Sequence, residues 1–182
     1  EYAKSMIANC SNEPSIAGIS LYAPEYNEYA GVPFQPIDNG YSVYPMQIPC
    51  SWGQCWTAEQ WNNFKNWYVD THSATCDETF GLTIYVKGWP ESSWKKYFAA
   101  YMVQFNKSFL YPYRSFTTNC ADPGGEHMVN GSSSFQVSLS AQFRPIPIIN
   151  ICPLKNPEIA YDAYMEASGA IVYRSLQLRV DD

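Results

Sequence analysis

Six cysteines are spread over the whole length of the chain, and their pairing would constrain its fold more than any other sequence feature. They are Cys10, Cys50, Cys55, Cys76, Cys120 and Cys152. An even number of cysteines at scattered positions is typical of proteins that form disulfide bonds in an oxidising compartment. Because 182 residues suffice for a hydrophobic core, each disulfide bond would add about 2–4 kcal/mol to a fold that already has one. We therefore predict a single disulfide-stabilised extracellular domain over residues 1–182.

Three Asn-x-Ser triplets favour the same location. They begin at Asn9, Asn106 and Asn130, and such a triplet accepts a glycan where it lies on a surface loop of a secreted protein. Asn130 is the best acceptor, because it lies among glycines and serines. Asn9 adjoins Cys10, and Asn106 falls within a predicted helix. We expect the protein to be extracellular or at the cell surface, and we interpret its start at Glu1 as that of a mature or trimmed product.

The composition excludes two classes of partner. Charged residues make up 15% of the chain and aromatic residues 16%, and the formal net charge is −6. Lys95-Lys96 is the closest approach to a basic run, so the chain lacks the positive surface that nucleic-acid binding requires. The longest apolar stretch, Pro145 to Leu154, is too short to span a bilayer. We therefore predict no nucleic-acid partner and no membrane span.

The first part of the chain is rich in residues that break regular structure. Between Asn12 and Gly53, prolines occur at positions 14, 24, 33, 36, 45 and 49, and glycines at positions 18, 31, 40 and 53. This density predicts an irregular arm over residues 1–56, either packed or forming short edge strands. Glu1 to Cys10 is interpreted as the tail of a helix.

Residues 57–182 are predicted to form an α+β core. A helix over Thr57 to Asp70 begins with a capping box, because Gln60 follows Thr57 by three positions. Alternating apolar residues predict a strand over Thr79 to Gly88. Aromatic residues at helical spacing predict a helix from Pro90 to Leu110.

The last third of the chain continues with strands and helices. We predict strands over Phe135 to Phe143, Ile146 to Ile151 and Ile171 to Val180, and a helix from Pro157 to Ser168. The fold class that follows is α+β, with an antiparallel sheet flanked by helices. From residue 79 onward the order of elements matches the split βαβ arrangement. An antiparallel meander flanked by helices is the competing interpretation.

No catalytic signature accompanies these elements. His72 and His127 are the two histidines, and neither lies in a known nucleophile motif. Glu78, Glu91 and Glu126 are candidate carboxylates for glycoside cleavage, a reaction that depends on the distance between two such groups. We assign no catalytic residue and favour a protein that is not an enzyme.

A group of metal-type donors follows the first long helix. Asp70, His72, Cys76, Asp77 and Glu78 lie within nine positions, and zinc accepts such donors. The closely spaced pairs of zinc motifs are absent from this segment, which favours a solvated helix end with Cys76 in a disulfide bond. Asp70 and His72 are the candidate metal ligands, and we predict no cofactor.

Three tryptophans are the candidate ligand-binding residues. Trp52, Trp56 and Trp89 lie at turns or at the ends of elements, where an indole ring can face a ligand such as a glycan. Trp52 and Trp56 flank Cys55, and a disulfide bond would hold their loop rigid. Trp56 also precedes the first long helix, so it is expected to contact Trp61 as a hydrophobic staple.

These features favour a non-catalytic extracellular or cell-surface protein, such as a subunit of a fibre, pilus or adhesin assembly. The arm could add a strand to the sheet of a neighbour, so the expected partners are further copies of the chain or other surface proteins. The alternative is a carbohydrate-binding module or a small secreted carbohydrate-active enzyme that uses the tryptophans. A third hypothesis is a secreted metal-dependent enzyme built on Asp70 and His72.

Overall fold

The computed structural model describes residues 1–71, 81–120, 134–140, 149–155 and 157–168. Its helices are α1 (Tyr2–Cys10), α2 (Ala58–Thr71), α3 (Ile84–Lys87) and α4 (Trp94–Gln104). Its strands are β1 (Ile16–Ser20), β2 (Tyr26–Asn27), β3 (Val32–Pro33), β4 (Val43–Met46), β5 (Gln54–Cys55), β6 (Ser108–Pro112), β7 (Ala160–Tyr161) and β8 (Ala167–Ser168). None of the helices in this part of the chain has the length and apolarity needed to cross a membrane. The combination of helices with a mixed sheet confirms the predicted α+β class.

The larger sheet has the strand order β5-β1-β6-β4-β7-β8. β1 runs parallel to β6 and β4 runs parallel to β7, whereas the other neighbouring pairs are antiparallel. The sheet is therefore mixed, where the sequence analysis expected an antiparallel one. The parallel pairing of β1 with β6 is consistent with the helices that separate them in the chain, because parallel partners need a long crossover. β2 and β3 form a separate antiparallel pair.

The middle strands of this sheet are buried on both faces. Val43 and Leu110 belong to one apolar cluster, together with Met6 of α1. Their neighbours Tyr44 and Tyr111 belong to a larger cluster, to which α2 and α4 contribute. This alternation follows from the period of two along a strand. The sheet therefore lies between α1 on one face and the α2–α4 pair on the other.

The proline-rich arm is part of the sheet. β1 and β4 fall between residues 12 and 53, and every residue of both strands is buried. Both lie between other strands, which differs from the edge strands that the sequence analysis expected. Local composition does not show this position, because the shared partner β6 begins only at Ser108.

The first two helix predictions are confirmed. α1 occupies Tyr2–Cys10. At the start of α2, the amide of Gln60 donates to Thr57 Oγ1 at 3.1 Å, and the amide of Thr57 donates to Gln60 Oε1 at 3.0 Å. These two bonds are the capping box. The staple is also present, because the rings of Trp56 and Trp61 lie 5.1 Å apart.

The strand predicted over Thr79 to Gly88 is wrong in its described part, where the chain forms α3. Thr83 Oγ1 caps this helix by accepting a hydrogen bond from the amide of Val86 at 3.1 Å. The apolar residues that suggested alternation differ in exposure: Leu82 and Val86 are buried, whereas Ile84 is 89% exposed. A spacing of four residues places two side chains on one face of a helix as well as on one face of a strand.

α4 is shorter than the helix predicted from Pro90 to Leu110. It ends at Gln104, and Asn106 then turns the chain with a φ of 48°. Phe109 and Leu110 belong to β6. A residue in the left-handed region commonly ends a helix, and the aromatic spacing continues past this turn into the strand.

The helix predicted from Pro157 to Ser168 is wrong, because the described residues form the β7–β8 hairpin. In its turn, Asp162 Oδ1 accepts hydrogen bonds from the amides of Tyr164 and Glu166 at 2.8 and 2.9 Å. Asp favours turns for this reason. The split βαβ order required the strand over Thr79 to Gly88 and the helix from Pro157 to Ser168. The described residues form α3 and the β7–β8 hairpin there instead, so they do not follow that order.

Three strand predictions lie partly or wholly outside the described residues. For the strand over Phe135 to Phe143, the structure describes the part up to residue 140, in which Leu139 forms an isolated bridge with Ser115. For the strand over 146–151, it describes residues 149–151, which belong to none of the described strands. The strand over 171–180 lies wholly outside.

Candidate functional site

The side chain of Lys95 lies between two of the three candidate tryptophans. Its Nζ is 4.8 Å from the ring centroid of Trp89 and 5.7 Å from that of Trp52. Lys95 is the second residue of α4, so the start of that helix sets its position. An ammonium group within about 6 Å of an indole is attracted to the negative face of the ring. Lys95 thus joins two tryptophans from different parts of the chain.

Glu28 provides a negative charge beside this ammonium group. Its Oε1 lies 3.3 Å from Lys95 Nζ, and the side chains of Glu28 and Lys95 are only 11% and 13% exposed. The turn after β2 holds Glu28 in place, because Asn27 Oδ1 accepts hydrogen bonds from the amides of Tyr29 and Ala30 at 2.9 and 3.1 Å. Removing one member of so buried a pair leaves the other charge uncompensated. Glu28 and Lys95 therefore act as one unit.

Tyr85 forms the exposed rim of the site. Its ring lies edge-on to Trp89 at 5.8 Å and to Tyr29 at 5.5 Å, and 46% of the residue is exposed. Burial raises the pKa of the Tyr85 hydroxyl and the charge of Glu28 raises it further, while a hydrogen bond with Trp89 lowers it. The hydroxyl therefore stays protonated and lies close to both groups. We call Glu28, Trp52, Tyr85, Trp89 and Lys95 the Lys95 site.

α3 and a second lysine position Trp89. The amide of Trp89 donates to the carbonyl of Val86 at 3.1 Å, which fixes the chain just past the helix. Lys96 is 1% exposed, and its Nζ donates to the carbonyl of Trp89 at 3.4 Å and to Glu91 Oε1 at 2.6 Å. Tyr97 also donates its hydroxyl hydrogen to Glu91. Glu91, one of the candidate carboxylates for glycoside cleavage, therefore anchors the segment that carries Trp89.

A tight turn positions Trp52. Gly53 has a φ of 99°, and a Cβ atom there would come 2.6 Å from Thr117 Oγ1. Only glycine adopts this conformation readily. Thr117 donates its hydroxyl hydrogen to the carbonyl of Trp52. The indole of Trp52 stacks on Phe135 at 4.7 Å and meets Tyr22 at 5.1 Å.

A small cavity of about 30 Å³ adjoins Trp52 and the ion pair. Glu28, Trp52, Lys95 and the exposed Ser51 contribute to its lining. The lining also includes buried residues, namely Tyr22, Met46, Ile48, Cys50, Tyr111 and Met165. Burial raises the pKa of Cys50, and this effect outweighs the lowering by hydrogen bonds and by the charge of Lys95. The thiol is therefore neutral, and Met46, Ile48 and Met165 contribute buried apolar side chains to the lining.

The third candidate tryptophan, Trp56, lies elsewhere. Its ring packs against Trp61, Phe98 and Phe109 in the core between α2, α4 and the sheet. Its buried Nε1 has no hydrogen-bond partner among the described residues. The structure thus brings Trp52 and Trp89 together and assigns Trp56 to the staple.

Two of the three glycosylation triplets begin at residues that the structure describes. Asn9 is exposed but lies within α1, where its Nδ2 donates to the carbonyl of Ser5 at 2.7 Å. Asn106 is exposed just after α4, and its Oδ1 accepts from Gln47 Nε2 at 3.0 Å. Asn130 lies outside the described residues. Glycosylation at these positions stays a prediction.

The cysteines of the described part are free thiols. Cys10, Cys50 and Cys152 are buried, Cys55 is half-buried and Cys120 is exposed. Cys76 lies outside the described residues. No disulfide bond joins the five described cysteines, and the predicted pairing is therefore not seen among them.

The candidate metal site falls mostly outside the described residues. Asp70 is exposed near the end of α2, whereas His72 and the carboxylates Glu78 and Glu126 are not described. Within the described ranges, no group of three or more His, Cys, Asp or Glu side chains is arranged to hold a metal ion.

Glu28, Tyr85 and Lys95 were not among the site residues predicted from the sequence. Lys95 and Glu28 are 67 positions apart, and no local pattern links them. Tyr85 was assigned to a strand, where it would have pointed away from the apolar face. A glutamate in a turn beside several tyrosines is the one signal that the sequence offers for Glu28.

No protein-family model, no curated protein and no solved structure matches this chain. Its function is therefore inferred from the geometry of the Lys95 site.

Proposed function

We propose that the protein binds carbohydrate through the Lys95 site, without catalysis. The observation that carries this proposal is the placement of two tryptophans and a half-exposed tyrosine around a buried ion pair. A sugar presents apolar C–H groups on its ring faces and hydroxyl groups at its edge. Aromatic rings beside a few fixed polar groups complement both kinds of surface.

Each polar group of the Lys95 site has a defined role in this proposal. The ammonium group of Lys95 donates hydrogen bonds to sugar hydroxyl oxygens, and the carboxylate of Glu28 accepts from hydroxyl hydrogens. The Tyr85 hydroxyl donates as well, because its raised pKa keeps it protonated. The ion pair and the aromatic contacts already fix these groups, so binding orders few side chains and loses little entropy.

The charge of the site favours neutral sugars. Glu28 balances Lys95 at a distance of 3.3 Å, so the pair has no net charge. The whole chain carries a net charge of −6, which opposes the approach of polyanions. We therefore expect neutral glycans to bind more tightly than sulfated or uronic-acid-rich ones.

A glycan array followed by calorimetry tests the proposal. Tyr85→Ala and Trp89→Ala should each weaken binding about tenfold or more, as the loss of an aromatic anchor does. Phe105→Ala is a matched control, because Phe105 is 49% exposed, close to the value of Tyr85, and lies at the opposite end of α4 from Lys95. A blank array for the unmodified protein, or an equal loss in the control variant, would exclude the Lys95 site as a sugar site.

An extracellular or cell-surface location, as part of an interacting assembly, is retained as a second proposal. Its support is the low-charge, aromatic-rich composition. Addition of the arm to a neighbouring sheet would need a free strand, but β1 and β4 already have partners on both sides. Size-exclusion chromatography with light scattering, at rising concentration, tests self-association directly.

A further inference from the structure

We propose that the cavity beside Trp52 receives the N-acetyl group of a 2-acetamido sugar. This inference rests on the proposed function and names the sugar class that the Lys95 site prefers. The sugar ring would lie against Tyr85, the exposed rim of the site, and against the half-buried Trp89. The acetamido group would point past the ion pair into the cavity.

The size of the cavity fits an acetamido group and excludes a sugar ring. Its volume is about 30 Å³, and one water molecule needs about 10–15 Å³. The cavity therefore holds a group of two or three non-hydrogen atoms, such as the methyl and carbonyl of an acetamide.

The lining of the cavity offers both polar groups and buried apolar side chains, as an acetamide requires. Ser51 is exposed and the side chains of Glu28 and Lys95 are 11% and 13% exposed, whereas Met46 and Ile48 are 1% and 6% exposed. An acetamide N–H finds an acceptor in Glu28, and its carbonyl finds donors in Lys95 and in the Ser51 hydroxyl. The methyl group would then meet apolar side chains such as those of Met46 and Ile48. Each polar atom of the ligand thus keeps a partner when it leaves water.

A strained turn supplies part of the apolar wall. Met165 lines the cavity and is 7% exposed, and its backbone has a φ of 61°. This left-handed conformation is unfavourable for residues other than Gly, Asn and Asp. The amide of Met165 donates to the carbonyl of Asp162 at 3.2 Å, which holds the turn closed. Backbone strain of this kind clusters at active sites and ligand-binding positions.

Paired sugars test the inference. Calorimetry with N-acetylglucosamine and with glucose, which differ only at the acetamido position, should show about tenfold tighter binding of N-acetylglucosamine. Cys50→Leu adds two non-hydrogen atoms to the cavity lining. It should lower the affinity for N-acetylglucosamine to that for glucose.

Methionine methyl resonances provide a readout that needs no variant. N-acetylglucosamine should shift the signals of Met46 and Met165, whereas glucose should not. Met6 and Met102 do not line the cavity and are internal controls. Equal affinity for the two sugars, with unshifted Met46 and Met165, would overturn the acetamido inference and leave carbohydrate binding standing. Failure of both sugars and of every array glycan to bind would overturn both proposals.

Discussion

A Cβ atom on Gly18 would lie 2.8 Å from Nε1 of Trp56, so these two residues fit together only because residue 18 has no side chain. The same atom would lie 2.5 Å from Cζ of Phe109 on the neighbouring strand. The register of the β1–β6 pairing shifts between Ile16 and Gly18, and the indole of Trp56 lies beside this point. Gly18 therefore allows the staple of α2 to pack directly on the sheet.

Gly18→Ala should lower the free energy of unfolding by about 1–3 kcal/mol, because the added methyl group overpacks a core of buried rings. Urea denaturation measures the change. Gly88→Ala is the control, since a Cβ atom there would meet its nearest neighbours at 3.4 and 3.6 Å. That variant should stay within about 0.5 kcal/mol of the unmodified protein. Equal effects at both positions would contradict the close packing at Gly18.

Gln60→Glu should destabilise the protein in a pH-dependent way. Gln60 Nε2 donates to the carbonyl of Ile16 at 3.1 Å, while Oε1 accepts from the amide of Thr57. A carboxylate keeps the second bond but turns an oxygen toward the Ile16 carbonyl. Since Gln60 is 8% exposed, we expect a loss of about 1–3 kcal/mol at neutral pH.

The sign of the pH dependence distinguishes repulsion between the carboxylate and the Ile16 carbonyl from a loss of packing, which would not depend on pH. Repulsion by the Ile16 carbonyl raises the pKa of a carboxyl at position 60, and only the protonated acid can donate to that oxygen. Stability should therefore be regained as the pH falls through this raised pKa. Denaturation at about pH 7 and about pH 4 measures it. A deficit that is the same at both pH values would contradict the explanation, and Thr57→Ser, which keeps the cap, should change stability little.

The end of α4 depends on the left-handed conformation of Asn106. Its φ is 48°, and the amide of Lys107 then donates to the carbonyl of Met102 at 2.7 Å. Asn106→Ala should cost about 1 kcal/mol, because alanine tolerates this conformation poorly. Asn106→Gly should be more stable than Asn106→Ala, although both lose the hydrogen bond from Gln47. Thermal unfolding compares the two, and equal stability would show that the backbone conformation is not the cause.

The Lys95 site could be predicted only in part. Trp52 and Trp89 were identified because tryptophans at the ends of elements commonly face ligands, and the structure places both beside Lys95. Glu28 was not identified, since its partner Lys95 lies 67 positions away and the pairing depends on how the β2–β3 hairpin meets α4. A buried ion pair is a tertiary feature, and no local periodicity encodes it.

The elements of the fold that were predicted correctly depend on neighbouring residues, whereas most of those that were missed depend on contacts between distant parts of the chain. The capping box and the staple of α2 were predicted correctly, because all their groups lie between Trp56 and Trp61. The central position of β1 and β4 was not predicted, because it depends on pairing with β6. Strand formation is decided by partners and burial more than by local propensity. α3 was not predicted because the spacing of Leu82 and Val86 fits the period of a helix as well as that of a strand.

The buried thiols of Cys10 and Cys152 should make the protein less stable at alkaline pH. Burial raises the pKa of each to about 11, and the charge of Cys152 adds to the effect at Cys10. Because the folded state favours the neutral thiol, the stabilising contribution is complete below about pH 8.5, where a cysteine of an unfolded chain titrates. It is lost as the pH rises toward 11. The free energy of unfolding in urea should fall over this interval, and the fall should be smaller in a variant with both cysteines replaced by alanine.

Alkylation with peptide mapping tests the thiol state that this prediction requires. Near pH 8, iodoacetamide should modify the exposed Cys120 first, while Cys10, Cys50 and Cys152 should react only after denaturation. Cys120 is thus the internal control for reagent activity. If cysteines other than Cys120 remain unreactive in denaturant without a reductant, they are paired. The disulfide set predicted from the sequence would then hold, and the alkaline loss of stability should be absent, because a disulfide sulfur has no proton to release.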